Sequence, residues 1–462
     1  MKRIYSLLIF LTTFILSNLV VFAQSITWLG TLGGSESQAW DVSADGSVVV
    51  GWSKDNLGRD RAFRWTRTGG IVDLGTIGGA WSWAFGISSE GGVIVGSSHN
   101  YQGKIFACVW SNGSITTLDT INTVSNSARR ISGDGSVIVG AKYFDISPAH
   151  YHAFVWRNSG AAMVDLGTLG GLNSGAGDVS YDGSVVVGAS QLSNGDWRAF
   201  RWAEGLGMQD LGTIGWQSSA NAVSGNGLVV VGDCNQAKAF RWTESGGMQD
   251  LGNLGKYDCS AQDVTYNGSI IVGWARRYTD DKVVAFIWTE QSGMKDLNSL
   301  YANQIGTGKI LNRALAISDD GRYIVGYGYI DSLNRYEGFL LDTESSTGIN
   351  EIVEIPKEFY LYQNYPNPFN PSTKIRFVIP IPINRERNLE DFSLQASRNY
   401  NTLVTLKVYD VLGNEVSTLV NEYKPAGSYE VEFNGNNLAS GIYFYQLKAD
   451  NFLEAKKMML LK

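Results

Sequence analysis

Two histidines at alternate positions are the first candidates for chemistry in this chain of 462 residues. His150 and His152 lie in "SPAHYHAF", and imidazoles are a residue type that binds metal ions. The surrounding sequence supplies no Cys or carboxylate at ligand spacing. We therefore predict a variable loop at this position, and neither a metal nor a cofactor.

The segment "DVSADGS", Asp41 to Ser47, is similar to a calcium-binding loop. Its third ligand position is Ser43, and no Glu follows at the required distance. The segment also recurs at predicted hairpin turns, which favours a structural role. No nucleophile elbow, phosphate loop or metalloprotease helix is present, so the sequence predicts no catalytic residue.

The composition excludes a nucleic-acid-binding surface. Lys+Arg 37 against Asp+Glu 44 gives a net charge of −7, and no basic footprint is present. Charged residues make up only 18% of the chain, below the roughly 25% of an ordinary globular protein. All but one of the 8 prolines lie from Pro356 onward, and this shift predicts a domain boundary shortly before that residue.

The first residues, 1–23, have the pattern of a secretory signal peptide. Lys2 and Arg3 give a positive start, residues 4–21 are mainly apolar, and "VFAQS" places Val21 and Ala23 at the small-residue positions of a cleavage site. An uncleaved anchor helix is the alternative, which the polar interruptions disfavour. No later segment is long and apolar enough to span a bilayer, so we expect an exported protein without a transmembrane segment in its mature chain.

Seven internal repeats organise the chain as far as Asp342. Each contains an apolar triplet followed by glycine, as in "VVVG" at Val48 to Gly51, with an Asp-Gly, Asn-Gly or, in the second repeat, Glu90-Gly91 pair before it and "AFRW" or a relative after it. The pair Asp45 and Gly46 predicts a hairpin with a type I′ turn, in which both residues have positive φ. The triplets are apolar at consecutive positions, so both faces of each sheet must be covered.

These features predict a β-propeller, whose blades are four-stranded units of about 45 residues. The seventh repeat stops after its third strand at Asp342, whereas "ITWLG", Ile26 to Gly30, is a fourth strand without its repeat. We predict an all-β fold in which residues 26–342 form a seven-bladed propeller closed by its N-terminal strand. A β-solenoid is the alternative, but it would leave the first and last repeats uncapped.

The repeats resemble a known family in three motifs. "DLGTLGG", "VSxDGSVVVG" and "AFRW" together are similar to the HAF family of extracellular repeats, found in exported bacterial proteins. The likeness recurs in register through all the repeats. The resemblance implies a repeat type and no particular reaction.

Residues 358–462 resemble the C-terminal sorting domain of the type IX secretion system. The motifs are "FYLYQNYPNPFNPSTKIRFVIP" from Phe359, "LVTLKVYDVLGNEVSTLV" from Leu403 and "LASGIYFYQLKADNFLEAKKMMLLK" from Leu438. Apolar strands between Gly, Pro and Asn turns predict a small immunoglobulin-like β-sandwich here, preceded by a linker at 343–357 and interrupted by a surface loop at 383–401.

This second resemblance implies a partner and a destination. It implies recognition by the outer-membrane secretion machinery of a Gram-negative bacterium after export through the periplasm. The protein would then reside at the cell surface or outside the cell, with the sorting domain either removed or exchanged for a surface anchor.

The three cysteines permit one disulfide. Cys108 replaces the usual Phe of "AFRW" and is predicted to be a buried free thiol. Cys234 follows "VVVGD" in the fifth repeat, and Cys259 lies in "LGKYDCS" entering the sixth. Both positions fall on the same face of the predicted disc in adjacent blades, so we predict a disulfide between Cys234 and Cys259.

The tryptophans outside the repeated position predict a ligand surface. Those in or beside loops of the face that carries Cys234 and Cys259 are Trp52, Trp81, Trp83, Trp197, Trp216 and Trp274. Such rings stack on sugars or anchor a protein partner; the alternative is that they pack between blades. We expect the surface to be centred on Trp81, Trp83 and Trp216, near the mouth of the channel.

Two functions from different classes remain open. One is a surface-displayed or released interaction protein whose propeller binds a glycan or a protein, and the other is a secreted enzyme acting on polysaccharide, a hydrolase or lyase. The residues preceding "VS" near the predicted axis are Asp41, Gly86, Arg130, Asp178, Ala222, Asp263 and Ala316. This mixed set contains no His or Tyr to act as a base, so we favour binding.

Overall fold

The structure, a computed structural model, describes residues 24–118, 125–144, 150–157, 160–343, 359–361, 364, 367–379, 402–424, 427–450 and 452–461. The predicted signal peptide, residues 344–357 of the predicted linker and the predicted surface loop at 383–401 lie outside the described residues. The described residues fall into an N-terminal repeat domain and a C-terminal sandwich.

Small antiparallel sheets build the repeat domain, which is all-β and propeller-like. Each repeat folds as one sheet with its strands in chain order, because turns of a few residues connect neighbouring strands. We number these repeat sheets 1 to 7 along the chain. The first three contain β2 (Gly33–Val42), β3 (Val48–Asp55), β4 (Asp60–Thr66) and β5 (Gly70–Asp73); β6 (Gly78–Ile87), β7 (Val93–Asn100), β8 (Ile105–Ser111) and β9 (Ser114–Thr117); and β10 (Asn126–Ile131), β11 (Val137–Phe144), β12 (His150–Arg157) and β13 (Gly160–Asp165).

The next three repeat sheets follow the same plan. They contain β14 (Gly170–Val179), β15 (Val185–Leu192), β16 (Trp197–Ala203) and β17 (Gly207–Asp210); β18 (Ser219–Val223), β19 (Val229–Cys234), β20 (Lys238–Thr243) and β21 (Gly247–Asp250); and β22 (Gly255–Val264), β23 (Ile270–Arg277), β24 (Val283–Thr289) and β25 (Gly293–Asp296). Two single-turn helices, α1 (Leu297–Leu300) and α2 (Ala302–Ile305), then lead into repeat sheet 7.

Repeat sheet 7 combines strands from the two ends of the domain. Its strands are β26 (Lys309–Ile317), β27 (Tyr323–Ile330), β28 (Arg335–Asp342) and, from the start of the chain, β1 (Ser25–Trp28). A 3-10 turn at Asp331–Leu333 joins β27 to β28. β1 pairs antiparallel with β28, and a parallel contact between Glu36 and Tyr336 joins repeat sheet 7 to repeat sheet 1 as one eight-stranded sheet.

The "VSxDGS" segment forms the first hairpin turn of the repeat sheets. Ser43 Oγ accepts a hydrogen bond from Val48 N at 3.0 Å and donates one to Asp45 Oδ1 at 2.7 Å. Within this connection only Gly46 has a positive φ, of +67°, so the predicted type I′ turn is wrong. The serine and aspartate side chains instead stabilise a five-residue connection, residues 43–47, with glycine in the left-handed region.

The second strand of each repeat sheet is apolar on both faces. In β19 every residue is buried. Val229 and Val231 pack toward repeat sheet 6, whereas Val230 and Cys234 pack toward repeat sheet 4, because successive side chains of a strand project to opposite faces. The expected burial of both faces is confirmed here.

A buried side chain links each of several first strands to the preceding repeat sheet. Ser174 Oγ accepts a hydrogen bond from Ala153 N at 2.9 Å and donates one to Gly167 O at 2.5 Å. Two orphan backbone groups are thereby satisfied in a buried interface, where leaving them unpaired would cost stability. Side chains at equivalent positions that make the same pair of contacts are Ser37, Ser82, Ser218 and Cys259.

Repeat sheets 1 and 7 contact one another as consecutive repeat sheets do. Gly338 N donates a hydrogen bond to Ser37 Oγ at 2.9 Å, in the manner of Ala153 and Ser174. Gly46 lies so close to the ring of Tyr323 that a Cβ there would meet it at 2.6 Å. The first and last repeats are therefore neighbours in space.

The two cysteines predicted to form a disulfide are free, so that prediction is wrong. Cys234 lies in the core shared with repeat sheet 4, where its Sγ accepts from Thr213 Oγ1 at 3.5 Å. Cys259 lies in the core shared by repeat sheets 5 and 6, where its Sγ accepts from Ala239 N at 3.2 Å. The two thiols thus face opposite sides of repeat sheet 5. Cys108 is a buried free thiol, as expected.

The C-terminal sandwich consists of two antiparallel sheets around one core. Phe377, Leu406, Tyr445 and Met458 are fully buried between them. The two sheets and their shared core confirm the predicted sandwich. The sheets contain β29 (Tyr360–Leu361), β30 (Ser372–Ile379) and β33 (Gly427–Asn434); and β32 (Glu415–Lys424), β31 (Thr402–Tyr409), β34 (Gly441–Ala449) and β35 (Phe452–Leu460).

Candidate functional site

Three of the six predicted tryptophans form one group, on repeat sheets 1 and 2. Trp81 is 42% exposed, and its ring and that of Trp83 both contact the imidazole of His99 edge to face. Trp83 Nε1 donates to Asp60 Oδ2 at 3.2 Å. Asp60 in turn accepts from Lys54, whose ammonium lies 5.6 Å from the centre of the Trp52 ring. Trp52 and Trp83 are thus half-buried, and Trp81 presents the most surface.

A second group contains Trp197, the first residue of β16 in repeat sheet 4, and Trp216, which precedes β18 of repeat sheet 5. Trp216 is 86% exposed, and its carbonyl accepts from Arg198 at 3.0 Å. Beside Trp197 lies a cleft of about 400 Å³, which Asp233 and Gln236 also line. An exposed indole next to a polar cleft has the composition of a carbohydrate or peptide contact surface.

Trp274 does not belong to either surface. Its side chain is only 5% exposed, and the guanidinium of Arg313 covers its ring at 4.2 Å from the centre. Trp274 lies in β23 on the face that packs against repeat sheet 7, which is the alternative that the sequence left open. Its assignment to the ligand surface is therefore wrong.

The structure does not join the predicted centre of the surface into one patch. Trp81 and Trp83 belong to repeat sheet 2, and Trp216 precedes repeat sheet 5. Among the described residues, no ring contact links Trp216 to either of the other two. A ligand that touches both groups must therefore extend across the domain.

A cluster of side chains that the sequence did not predict lies at the inner rim of the repeat sheets. The guanidinium of Arg129 lies 4.7 Å from the ring centre of Trp40 and 5.1 Å from that of Phe85, and the two rings meet edge to face at 5.3 Å. These residues come from the first strands of repeat sheets 3, 1 and 2. Contact between repeat sheets 1 and 3 requires the side chains to point to the common axis. We call these three residues the axial arginine cluster.

The backbone explains why these side chains reach the axis. The register of each first strand shifts by one residue at Trp40, Phe85 and Arg129, and such a bulge turns the extra side chain away from the ladder. The sequence contained a signal for the cluster, because each of its residues directly precedes a position predicted to lie near the axis, namely Asp41, Gly86 or Arg130.

Charged side chains form the next layer along the axis. Asp41, Asp178 and Asp263 each accept a backbone N–H of the following repeat sheet through Oδ2, at 2.8–2.9 Å. Arg130 donates to Phe85 O in the preceding repeat sheet. These residues border an axial cavity of about 80 Å³. All four side chains therefore link neighbouring repeat sheets.

Burial controls the protonation of this charged layer. It raises the pKa of Asp178 to about 6, against the lowering effect of Arg130, and it raises the pKa of Asp263 well above its usual range, with the negative charge of Asp178 adding to the effect. Burial lowers the pKa of Arg130, but the three aspartates outweigh it and the net pKa is raised. Asp319, at the turn end of the cavity, accepts from Ser89 Oγ at 3.0 Å, and burial raises its pKa to about 6.

The histidine pair lies at the start of β12, the third strand of repeat sheet 3. His152 Nδ1 is 2.8 Å from Asp165 Oδ2, a carboxylate 13 residues away that the sequence did not connect with it. His150 and His152 fall in strand β12, not in a loop. In the part of the chain that the structure describes, no group of three or more His, Cys, Asp or Glu side chains is arranged to hold a metal ion.

The C-terminal sandwich has a recognised counterpart. The family model described as "Secretion system C-terminal sorting domain" matches residues 363–461. The sandwich is a type IX secretion sorting domain. The sorting domain implies a link to the type IX machinery, and export to the cell surface or extracellular space of a Bacteroidetes-type bacterium. None of the described helices has the length and hydropathy needed to cross a membrane.

Comparison with solved structures gives weak likenesses. PorZ of Porphyromonas gingivalis, a surface component of the type IX secretion system, is 12% identical with a TM-score of 0.42, and the match covers 91% of this chain and 59% of PorZ. TolB from Acinetobacter baumannii is 12% identical with a TM-score of 0.38, covering 68% of this chain and 65% of TolB. Dipeptidyl peptidase 4 of Porphyromonas gingivalis is 10% identical with a TM-score of 0.38, covering 72% of this chain and 56% of the peptidase.

The chain spans less than two thirds of the length of these three proteins. At these TM-scores the likenesses carry no argument about fold or activity. No curated protein matches the chain.

Proposed function

We propose that this protein is a secreted binding protein, displayed on the cell surface or released, whose repeat domain recognises a glycan through the face that carries Trp81 and Trp216. The observation that carries the proposal is the exposure of Trp216, which is 86% accessible to solvent. An indole held by its backbone beside a polar cleft is suited to stack on a sugar ring.

The proposal includes a closed ring of seven HAF-type blades. Its support is that the contacts between repeat sheets 1 and 7 repeat those between consecutive repeat sheets. β1 occupies on β28 the place that a fourth strand occupies elsewhere, and Gly338 contacts Ser37 as Ala153 contacts Ser174. Closure places repeat sheets 2 and 5 on opposite sides of the axis, so that a long glycan crossing the ring reaches both tryptophan groups.

An enzyme acting on polysaccharide is the second candidate, and the raised pKa of Asp178 favours it, because a carboxyl with a pKa of about 6 suits general acid catalysis. Against it, Oδ2 of Asp178 already accepts a hydrogen bond from Val223 N at 2.9 Å. Asp41 and Asp263 likewise accept a backbone N–H of the following repeat sheet. These carboxylates join neighbouring sheets, so we favour binding.

A glycan array with the chain from Gln24 to Lys462 tests the proposal. We expect binding to polysaccharides, lost on replacing Trp216 by Ala while the thermal unfolding temperature stays unchanged. New reducing or unsaturated ends in the bound glycans would instead support the enzyme. An array without any bound glycan would overturn the proposed ligand class.

A further inference from the structure

We propose that the axial arginine cluster binds the carboxylate of an acidic glycan, with Arg129 as the residue that recognises it. The inference deepens the proposed function and rests on it, because it specifies which glycans the tryptophan-bearing face selects. It is carried by the contacts of Arg129, which are made with aromatic rings and not with an anion.

The guanidinium of Arg129 is charged and has no counterion among the described residues. Among the described residues it takes part in no ion pair, and its side chain makes no hydrogen bond; its contacts are the rings of Trp40 and Phe85. Burial, with the positive charge of Arg130 adding to it, lowers the pKa of Arg129 to about 10, so it stays protonated at neutral pH. A half-buried charge without a partner is costly, which favours a role in binding.

The contacts with the two rings leave the N–H donors of the guanidinium without an acceptor among the described residues. Arginine offers five N–H donors in a planar fork that matches a carboxylate, and the faces of that plane are the part that stacks on aromatic rings. Trp40 Nε1 is a further donor in the cluster and has no acceptor among the described residues. The cluster therefore has an excess of donors, which an anionic ligand would satisfy.

The position of Arg129 connects it with the proposed ligand face. Trp81, Trp83 and Phe85 follow one another at alternate positions along β6, from the exposed Trp81 inward to the ring that Arg129 contacts. Arg129 and Phe85 remain partly exposed. A sugar stacked at Trp81 or Trp83 would thus have its neighbouring residue near the guanidinium.

The carboxylate layer explains why the basic group is at this level of the axis. Asp41, Asp178 and Asp263 follow directly beyond the cluster and would repel an anion that went deeper. Arg130 donates to Phe85 O, and the negative charge of these aspartates stabilises its protonated form; no aspartate acts on Arg129 in this way. We therefore expect an anion that enters along the axis to bind at Arg129.

The test compares two forms of one polymer on the chain from Gln24 to Lys462. Polygalacturonate is the acidic probe, and its carboxyl-reduced form is the neutral probe with the same backbone. We expect polygalacturonate to bind the wild-type protein more tightly, and Arg129→Met to weaken that binding about ten- to hundredfold, as for a lost charged hydrogen bond. The neutral polymer should bind the variant and the wild type equally.

Arg67→Met is the matched control, because Arg67 is an exposed arginine in a turn between β4 and β5, and its loss changes the net charge equally. The inference would be overturned if the wild-type protein bound the two polymers equally. It would also be overturned if the wild type preferred polygalacturonate and Arg129→Met kept the same affinity for it. Either result would leave the proposed function standing. Binding of neither probe would overturn this inference, while other glycans on the array would still decide the proposed function. A lowered unfolding temperature in Arg129→Met with unchanged selectivity would assign Arg129 a structural role only.

Discussion

Gly338 donates its backbone N–H to Ser37 Oγ at 2.9 Å, across 301 positions of sequence. The same contact joins Ala153 to Ser174 between two consecutive repeat sheets, also at 2.9 Å. The bond that connects the ends of the repeat domain is thus equivalent to a bond inside it. A comparison of the two serines tests whether the ring is closed in solution.

Ser37→Ala and Ser174→Ala should destabilise the protein by similar amounts. Each substitution leaves a backbone N–H and a carbonyl of a neighbouring sheet without their partner, at a cost of about 1–3 kcal/mol. Urea denaturation of both variants measures the effect. A cost for Ser174→Ala with none for Ser37→Ala would contradict closure, because an open ring does not depend on the Ser37 contact.

The exposed and the buried tryptophan should respond in opposite ways to truncation. Trp216→Ala removes an exposed ring and should leave the free energy of unfolding nearly unchanged, while glycan binding is lost. Trp274→Ala empties a site in the core and should cost about 3–5 kcal/mol. Thermal unfolding and glycan binding of each variant check the pair; equal destabilisation would contradict the burial described here.

Stability should fall as pH rises from about 4 to about 6. The unfolded chain releases the proton of Asp178 near pH 3.9, whereas the folded protein holds it to about pH 6, so the folded state binds more protons in that interval. The stabilisation is full below the unfolded pKa and is lost as pH passes the folded one, by on the order of 2–3 kcal/mol.

The Asp178→Asn variant should have a shallower pH profile than the wild type, since the amide still offers an acceptor to Val223 N. Asp331→Asn is the control, because Asp331 is an exposed aspartate of the same domain. Urea denaturation at pH 4.5 and 7.5 measures the slope. An unchanged slope in Asp178→Asn would show that Asp178 titrates normally.

All three thiols should be unreactive in the folded protein and reactive in denaturant. Burial raises the pKa of Cys108 to about 12 and that of Cys259 to about 11, which keeps both as thiols at neutral pH, and Cys234 is enclosed in the core. Labelling with a thiol reagent, followed by mass spectrometry, checks this. A protein mass lower by two hydrogens, with only one cysteine labelled in denaturant, would instead show that a disulfide is present.

Local patterns were enough to predict the elements and the export route. The repeated triplets fixed the second strands, as in Val229 to Val231, because only a strand buried on both faces is apolar at consecutive residues. The sorting domain was identifiable from its motifs alone, since they stand in order along 358–462. Turn geometry was less secure: Asp45 and Gly46 predicted a hairpin, but the side chain of Ser43 selected a different connection.

The tertiary structure decided which core or surface each side chain points to. Cys234 and Cys259 share one end of the domain, yet the alternation of a strand sends them into different cores. Trp274 is near a loop in sequence but packs inward beneath Arg313. The axial arginine cluster unites Trp40, Phe85 and Arg129 from three repeats, because bulges at equivalent positions turn these side chains to one axis. The repeat pattern marks the position of each residue, but only the fold brings the three side chains into contact.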